Sequence, residues 1–364
     1  MKKIFIVAGD HSGDLYAGLL AKKIKELSPD TEIFSAAGAN LKENSTQLVN
    51  LTQIAVTGIT EVFKYLKQIL KLFNDTLSAI KKVNPDLVIL LDFPDFNLRL
   101  AKKLKKENFK IVYFISPQIW AWRKGRIKII KKYIDKMLVI FKFEEEFYKK
   151  HNFKATFVGH PLLEILSNYR NLPDENNLSI PTIAFLPGSR EKEIEKHLPV
   201  MIETKKLIAK KTPCRFILIK HPQINTELFQ PAQESGIELI EKDAYQCLKK
   251  STLAIAASGT VTLELAILNI PTIVIYKLSF LSWFILKLLV KIDFITTTNL
   301  IAKKEIFKEL IQHKASAENI SEQALELLTN NKLYLDKKSQ LKNIIQSLKP
   351  ENALELAAKE ILKS

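Results

Sequence analysis

K-K-I-F-I-V-A-G-D-H-S-G-D, residues 2–14, sets the reading of the whole chain. Ile4 to Ala8 is an apolar run that reads as a strand, Gly9 to Asp14 is polar and glycine-bearing, and Leu15 to Leu27 returns apolar residues at helical spacing. The apolar run is about six residues long, short of the roughly 7 to 15 of a signal peptide, so the segment is read as the first strand of a fold. The same strand, polar turn and amphipathic helix recur along the chain. Further strands are predicted at Leu87 to Leu91, Ile111 to Ile115, Met137 to Phe141, Thr182 to Leu186, Phe216 to Lys220, Leu253 to Ala256 and Thr272 to Tyr276, and a helix at Leu98 to Glu107. That alternation predicts doubly wound α/β structure with parallel sheets.

With 364 residues and 47% hydrophobic composition, the chain exceeds the usual size of one core, so two domains are expected. The loop Ser167 to Ile180, crowded with Asn, Pro, Asp and Glu, divides it into residues 1–166 and 167–344. The end, about 345–364, carries an apolar helix pattern at Ala353 to Leu362 with no strand after it, and could pack back on the first domain. Nearly every polar, glycine-bearing cluster directly follows a predicted strand: 9–14, 92–97, 116–126, 188–193 and 258–264. Ligands of open α/β sheets bind at the carboxyl ends of the strands, and two such halves facing each other would make an interdomain cleft.

Cys214 and Cys247 lie far apart and outside any C-x-x-C spacing, which favours a reducing cytosol and no structural zinc. The longest uncharged run, residues 44–60, is broken by Ser, Thr, Gln, Asn and Gly, so no spanning helix is expected. Of the net charge of +16, +10 lies between Lys81 and Lys132. A basic patch of that kind attracts polyanions, nucleic acid and anionic lipid alike, and charge alone does not choose.

L-P-G-S-R-E-K-E at 186–193 follows a strand and opens a helix. Gly188 permits a tight turn, the first helical N–H groups, from Ser189 onward, favour an anion, and Arg190 adds a bidentate contact to phosphate. The bland reading is an ordinary strand-to-helix turn. A-S-G-T-V-T-L-E at 257–264 repeats the pattern with Ser258, Gly259 and Thr260; Glu264 is placed to accept from the cis hydroxyls of a ribose, or is a solvated helix residue. A-G-D-H-S-G-D at 8–14 is neither G-x-G-x-x-G nor a P-loop, and His11 is given no chemistry. In D-F-P-D-F-N, Asp92 ends an apolar strand, where partial burial raises a carboxyl pKa toward that of a general base, while Asp95 is placed to cap a helix beginning near Asn97. The pair has no nearby His, so no metal site is expected. S-P-Q-I-W-A-W-R-K-G-R-I-K-I-I-K-K at 116–132 joins two tryptophans to six cations between Arg123 and Lys132, suited to a membrane interface. Single-stranded nucleic acid would suit it too, but no RNP, KH or helix-turn-helix signature accompanies it. The bland alternative packs Trp120 and Trp122 in the core above a solvated helix face.

Taken together these clusters resemble lipid-A-disaccharide synthase, an inverting glycosyltransferase of the two-Rossmann-domain, GT-B type, from about Ile4 to Leu310. The resemblance is carried by A-G-D-H-S-G-D, V-T-G-I-T-E-V at 56–62, D-F-P-D-F-N, S-P-Q-I-W-A-W-R, V-G-H-P-L at 158–162, L-P-G-S-R, S-G-T-V-T-L-E and N-L-I-A at 299–302. S-P-x-x-W-A-W-R is the most specific of them. Two departures stand out: Asp10 replaces the family's usual Glu, and T-T-N at 297–299 replaces a proline before the asparagine.

The resemblance implies that the 6-hydroxyl of 2,3-diacylglucosamine 1-phosphate attacks C1 of UDP-2,3-diacylglucosamine to give the β-1,6-linked disaccharide 1-phosphate and UDP. By carry-over Asp92 is the base, and Gly188, Ser189, Arg190 and Glu193, with Ser258, Gly259, Thr260, Glu264 and Asn299, face the nucleotide sugar. Asp10, Ser12, Gly13, Asp14, Asn97, Trp120 and Arg123 line the acceptor side, and Trp122, Arg126, Lys128, Lys131 and Lys132 meet an anionic membrane. No cofactor, metal or nucleic-acid partner is expected, a homodimer is compatible with the reading, and the expected location is peripheral on the cytoplasmic face of the inner membrane. The alternatives are a UDP-N-acetylglucosamine epimerase, the lipid-linked peptidoglycan glucosaminyltransferase, whose G-G-x-G-G loop is missing, and a non-catalytic basic RNA- or membrane-binding protein.

Overall fold

The unbroken run Leu87–Leu91, buried at every position, lies beside Lys3–Ala8 in a parallel register from Ile4↔Leu87 to Ala8↔Leu91. Parallel strands covered on both faces must be apolar on both, which is why these two read as continuous runs. In the computed structural model, which describes residues 2–51, 59–120, 124–173, 180–277 and 294–364, they form the centre of one of two compact units. The first unit is Met1–Glu164 with Leu348–Ser364, and the second is Ile165–Ser347.

The first unit holds β1 (Lys3–Ala8), β2 (Glu32–Ala37), β3 (Thr46–Asn50), β4 (Leu87–Leu91), β5 (Ile111–Phe114), β6 (Lys136–Val139) and β7 (Ala155–Phe157). Their spatial order is β3-β2-β1-β4-β5-β6-β7, with every pairing parallel. The second unit holds β8 (Thr182–Leu186), β9 (Arg215–Ile219), β10 (Glu238–Ile240), β11 (Leu253–Ala257), β12 (Thr272–Tyr276) and β13 (Lys308–Ile311), in the parallel order β10-β9-β8-β11-β12-β13. Each unit is a doubly wound α/β sheet with its own hydrophobic core. In each, strand order reverses once, between β1 and β4 and between β8 and β11, and such a switch point opens a crevice at the carboxyl ends of the strands.

The C-terminal helix Ala353–Leu362 belongs to the first unit and packs on the helix His11–Leu27. Ala353, Ala357 and Ala358 are fully buried, small enough for the two helices to approach closely, while Leu354 and Ile361 fill the remaining space. Lys2 donates to the Leu362 carbonyl of its last turn, which satisfies a group a helix end leaves unpaired, and Lys110 donates to Ser364 just beyond it.

One helix begins earlier than the sequence suggested. It runs Pro94–Leu104, with Pro94 in its first turn, and Asp95 lies inside it, mostly exposed and paired with Arg126, not at its cap. Residues 56–58 of the V-T-G-I-T-E-V motif, residues 174–179 of the 167–180 loop and the apolar run L-S-F-L-S-W-F-I-L at 278–286, a second candidate membrane contact by sequence, lie outside the described residues, while Ser167–Arg170 in that loop is helical.

Candidate active site

The turn after β4 is strained. Asp92 and Phe93 are consecutive non-glycine residues with φ of +45° and +46°. Asp tolerates the left-handed region; for a bulky Phe it costs on the order of 1–2 kcal/mol, and such strain persists only where surrounding contacts over-determine it. Here they do. The Tyr113 hydroxyl donates to the Asp92 carbonyl at 2.5 Å, and the Asn97 amide donates to the same carbonyl at 2.8 Å and to that of Leu91 at 3.1 Å. The Phe93 ring lies so close to Gly9 that a Cβ there would come within 2.2 Å of it. The first loop and the strained turn are therefore shaped to each other across the β1/β4 switch point.

The strain delivers the Asp92 side chain to a cavity of about 250 Å³ lined by Pro94, Ile115, Ser116, Pro117, Gln118, Ile119, Arg126, Ile140 and Phe141. Burial, reinforced by the negative charge of Asp10, pushes the Asp92 carboxyl up to about 7. Burial also raises Asp10, whose Oδ1 accepts the Gly13 N–H at 3.0 Å as the cap of the first helix. A carboxyl half-ionised near neutral pH, beside an apolar-walled cavity, has the properties of a general base.

Several residues assigned to the acceptor side serve the scaffold instead. Asp14 is fully buried and accepts from the Gly38, Asn40 and Leu41 backbones and the Asn40 amide at 2.8–3.2 Å, leaving no oxygen for a ligand. Asn97 is fully buried and acts through the Asp92 turn. Trp120 is half-buried and donates its indole N–H to Glu144 at 3.1 Å. Glu144 itself is fully buried, accepts the Phe141 N–H as well, and is raised by burial to about 8, so it holds the 116–120 loop against the helix Lys142–Lys150. Ser12 is half-buried in the first helical turn. Trp122 and Arg123 lie outside the described residues. Arg126, expected at a membrane, instead keeps its side chain only 14% exposed and lines the Asp92 cavity. Lys128, Lys131 and Lys132 are exposed on the helix Ile127–Tyr133, whose Ile127 and Ile130 are buried beneath them.

The turn after β8 in the second unit has the form of an anion site. Gly188 takes φ +130°, which other residues rarely adopt, and a Cβ there would meet Glu193 Oε2 at 2.7 Å. The Glu193 carboxylate accepts the Ser189 N–H at 3.3 Å and the Arg190 guanidinium at 2.7 Å. It thus engages both donors that a phosphate would use, and in this arrangement Glu193 stands in for the anion rather than contacting it. His197, which the sequence reading passed over, is fully buried; Nδ1 donates to the Pro187 carbonyl at 2.7 Å and Nε2 accepts the Lys277 N–H at 3.0 Å, tying the loop to the end of β12. Burial lowers its pKa, in keeping with the neutral ring that this pattern requires.

After β11, Ser258 is half-buried and Gly259 and Thr260 are exposed at the start of the helix Val261–Ile267. Burial pushes Glu264 up to about 7, and Tyr245 donates its hydroxyl to it at 3.3 Å. Asn299 is a different case. It is fully buried, its amide donates to the Phe307 carbonyl and Glu309 Oε1, each at 2.8 Å, and its carbonyl accepts the Ile306 and Phe307 N–H groups at 2.9 Å. Every hydrogen-bonding position is used, so Asn299 is a strut and not a uracil contact. We expect Asn299→Ala to lower stability by about 2–4 kcal/mol, because buried partners are left unpaired. UDP affinity of the folded fraction, measured by calorimetry, should be unchanged; an affinity loss without a drop in melting temperature would restore the ligand role.

Among the described residues no group of three or more His, Cys, Asp or Glu is placed to hold a metal ion, and no helix is long and apolar enough to cross a membrane.

Two doubly wound sheets, each with its polar loops at its own switch point, define a fold of the GT-B type. Solved structures show that fold: a UDP-GlcNAc 2-epimerase from Neisseria meningitidis bound to UDP-GlcNAc has a TM-score of 0.67 at 13% identity, covering 100% of both chains, and the calicheamicin glycosyltransferase CalG4 has 0.65 at 11%, covering 100% of this chain and 98% of that one. Sequence separates the two possibilities. The family described as lipid-A-disaccharide synthetase matches residues 4–361, and the chain belongs to it. Similar relatives are a lipid-A-disaccharide synthase from Coxiella burnetii (strain CbuG_Q212), 36% identical over 99% of this chain and 98% of that protein, and lipid-A-disaccharide synthase 1 from Legionella pneumophila (strain Lens), 39% identical over 88% and 86%.

Proposed function

We propose that this glycosyltransferase joins two diacylated glucosamines, with the 6-hydroxyl of 2,3-diacylglucosamine 1-phosphate displacing UDP from C1 of UDP-2,3-diacylglucosamine with inversion. The observation that carries this reading is the Asp92 carboxyl, held on a strained turn at a switch point and raised to about 7. It takes the proton of the attacking hydroxyl as the new C1–O bond forms and the bond to the diphosphate breaks. Inversion follows from a single displacement with one base. Arg190 and the Ser189 N–H, once Glu193 yields them, stabilise the departing diphosphate by charge and hydrogen bonds fixed in advance. Glu264, half-buried beside Tyr245, is suited to accept from the cis hydroxyls of the ribose. The UDP-sugar is a substrate, and no cofactor or metal takes part. In a coupled assay containing EDTA, UDP release should depend on the acceptor; release without acceptor, or loss of release restored by magnesium, would contradict the reading.

Both proposed substrates carry acyl chains, which supports a reading in which the enzyme works at a membrane surface, for which we propose the cytoplasmic face. Lys128, Lys131 and Lys132 project from one helix, and on the helix Ile59–Val83 Leu66 and Leu70 are 44% and 51% exposed near Lys67 and Lys71. Each basic residue near an anionic surface contributes on the order of 1 kcal/mol, screened beyond about 8 Å at physiological salt. Replacing Lys128, Lys131 and Lys132 with Gln should reduce flotation with anionic liposomes at low salt while leaving UDP affinity intact. Equal flotation at every salt concentration would remove this helix from the contact.

A further inference from the structure

Arg126 ends the short turn Lys124–Arg126, and its backbone is fixed by Ile127 and Ile130, which are buried in the core of the first unit. Among the described residues lining the Asp92 cavity, its guanidinium is the single cationic group. Its carboxylate partner, Asp95, is 66% exposed, whereas Arg126 is 14% exposed. The pair is lopsided: the cation has lost most of its water and the counter-ion has not. Such a pair adds little to stability, because desolvation of one ion offsets a contact that solvent screens on the other side. A guanidinium kept in a cavity on those terms is explained by what enters the cavity.

The rest of the lining says what that is. Ser116 and Gln118 are neutral, Ile115, Ile119, Ile140 and Phe141 are apolar, and Asp92 is a carboxyl. An anionic ligand entering beside Asp92 meets like charge unless its own charge lies at Arg126, and a guanidinium matches phosphate oxygens bidentately. The volume of about 250 Å³ lies just below the range of whole-ligand pockets, room for a sugar headgroup and not for a diacylated substrate.

We propose that Arg126 binds the phosphomonoester of the acceptor and makes the Asp92 cavity selective for a phosphorylated sugar over the same sugar without its phosphate. This rests on the acceptor reading given above. Arg126 is a specificity residue, and Asp92 remains the base.

The test is equilibrium binding of 2,3-diacylglucosamine 1-phosphate and of its dephosphorylated form, in neutral detergent micelles, to wild type, Arg126→Gln, Arg126→Lys and the surface control Lys103→Gln. Wild type should prefer the phosphorylated ligand by about tenfold or more, the range of a charge-assisted bidentate contact. Arg126→Gln should abolish that preference, Arg126→Lys should reduce it severalfold because the fork is lost while the charge stays, and Lys103→Gln should leave it unchanged. UDP affinity should be the same in all four. If Arg126→Gln does not fold, the Lys variant decides by the same ratio. An unchanged ratio in the Arg126 variants overturns the proposal, as does an equal weakening of both ligands, which marks a structural role. Weaker UDP binding in the Arg126 variants would instead assign the residue to the donor diphosphate. Wild-type preference without disaccharide formation from the UDP-linked donor would sink the transfer reaction and leave the phosphate site standing.

Discussion

Asp92→Asn should lower turnover by about 10² or more while UDP binding is retained, the loss expected for a missing general base. Asn matches Asp in shape and tolerates the left-handed turn, so the Tyr113 and Asn97 contacts to its carbonyl survive the substitution. Only the proton acceptor is removed. The pH dependence follows with a definite sign. The base must be ionised, and its pKa is raised from the usual carboxylate range to about 7, so wild-type kcat/KM should fall roughly tenfold per unit as pH drops below about 7. Stability should move the other way. A carboxyl whose folded pKa is raised destabilises the folded state above its unfolded pKa, where the chain must carry a poorly solvated charge. Asn carries none, so at pH 8 the variant should melt no lower than wild type. A residue that costs stability and is needed for turnover is what an active site holds. Unchanged turnover, or a proportional loss of UDP binding, would remove Asp92 from the mechanism.

Arg190→Ala should act on affinity, raising the UDP dissociation constant by about 10- to 100-fold, the worth of a charge-assisted contact to phosphate. The side chain is 49% exposed and paired with Glu193, so its loss disturbs no core contact and the melting temperature should hardly change. Calorimetric titration with UDP decides it: equal affinity in the variant would mean that the guanidinium seen against Glu193 does not turn to the ligand.

The fold was legible where burial on both faces forces a continuous apolar run. The four strands flanking the switch points, β1, β4, β8 and β11, were read almost residue for residue from I-F-I-V-A, L-V-I-L-L, T-I-A-F-L and L-A-I-A. The strands that escaped reading lie toward the sheet edges. T-Q-L-V-N in β3 alternates exposed and half-buried positions, and β7 and β10 have only three residues each, so neither length nor pattern separates them from loops. The loops at the switch points were visible from their position after strands, but what each side chain does there was not. Asp14 and Asn299 sit in motifs beside the site, yet their hydrogen bonds are filled by segments that arrive from elsewhere in the chain, Gly38 to Leu41 for Asp14 and Ile306 to Glu309 for Asn299. No local pattern encodes that. Arg126 was misread for a related reason: in a run of six cations, sequence shows the charge but not which one turns inward. Tyr113, inside the apolar strand I-V-Y-F, and Glu144, on a charged helix, carry no signal of their contacts at all.

The most direct test is product analysis. Purified protein, UDP-2,3-diacylglucosamine and 2,3-diacylglucosamine 1-phosphate are combined with EDTA, and the products are followed by mass spectrometry and by NMR of the anomeric proton. The expected result is the disaccharide 1-phosphate and UDP in equal amounts, with a β-1,6 linkage. Formation of a C2-epimerised sugar, an α linkage, or no disaccharide while UDP still binds would contradict the account.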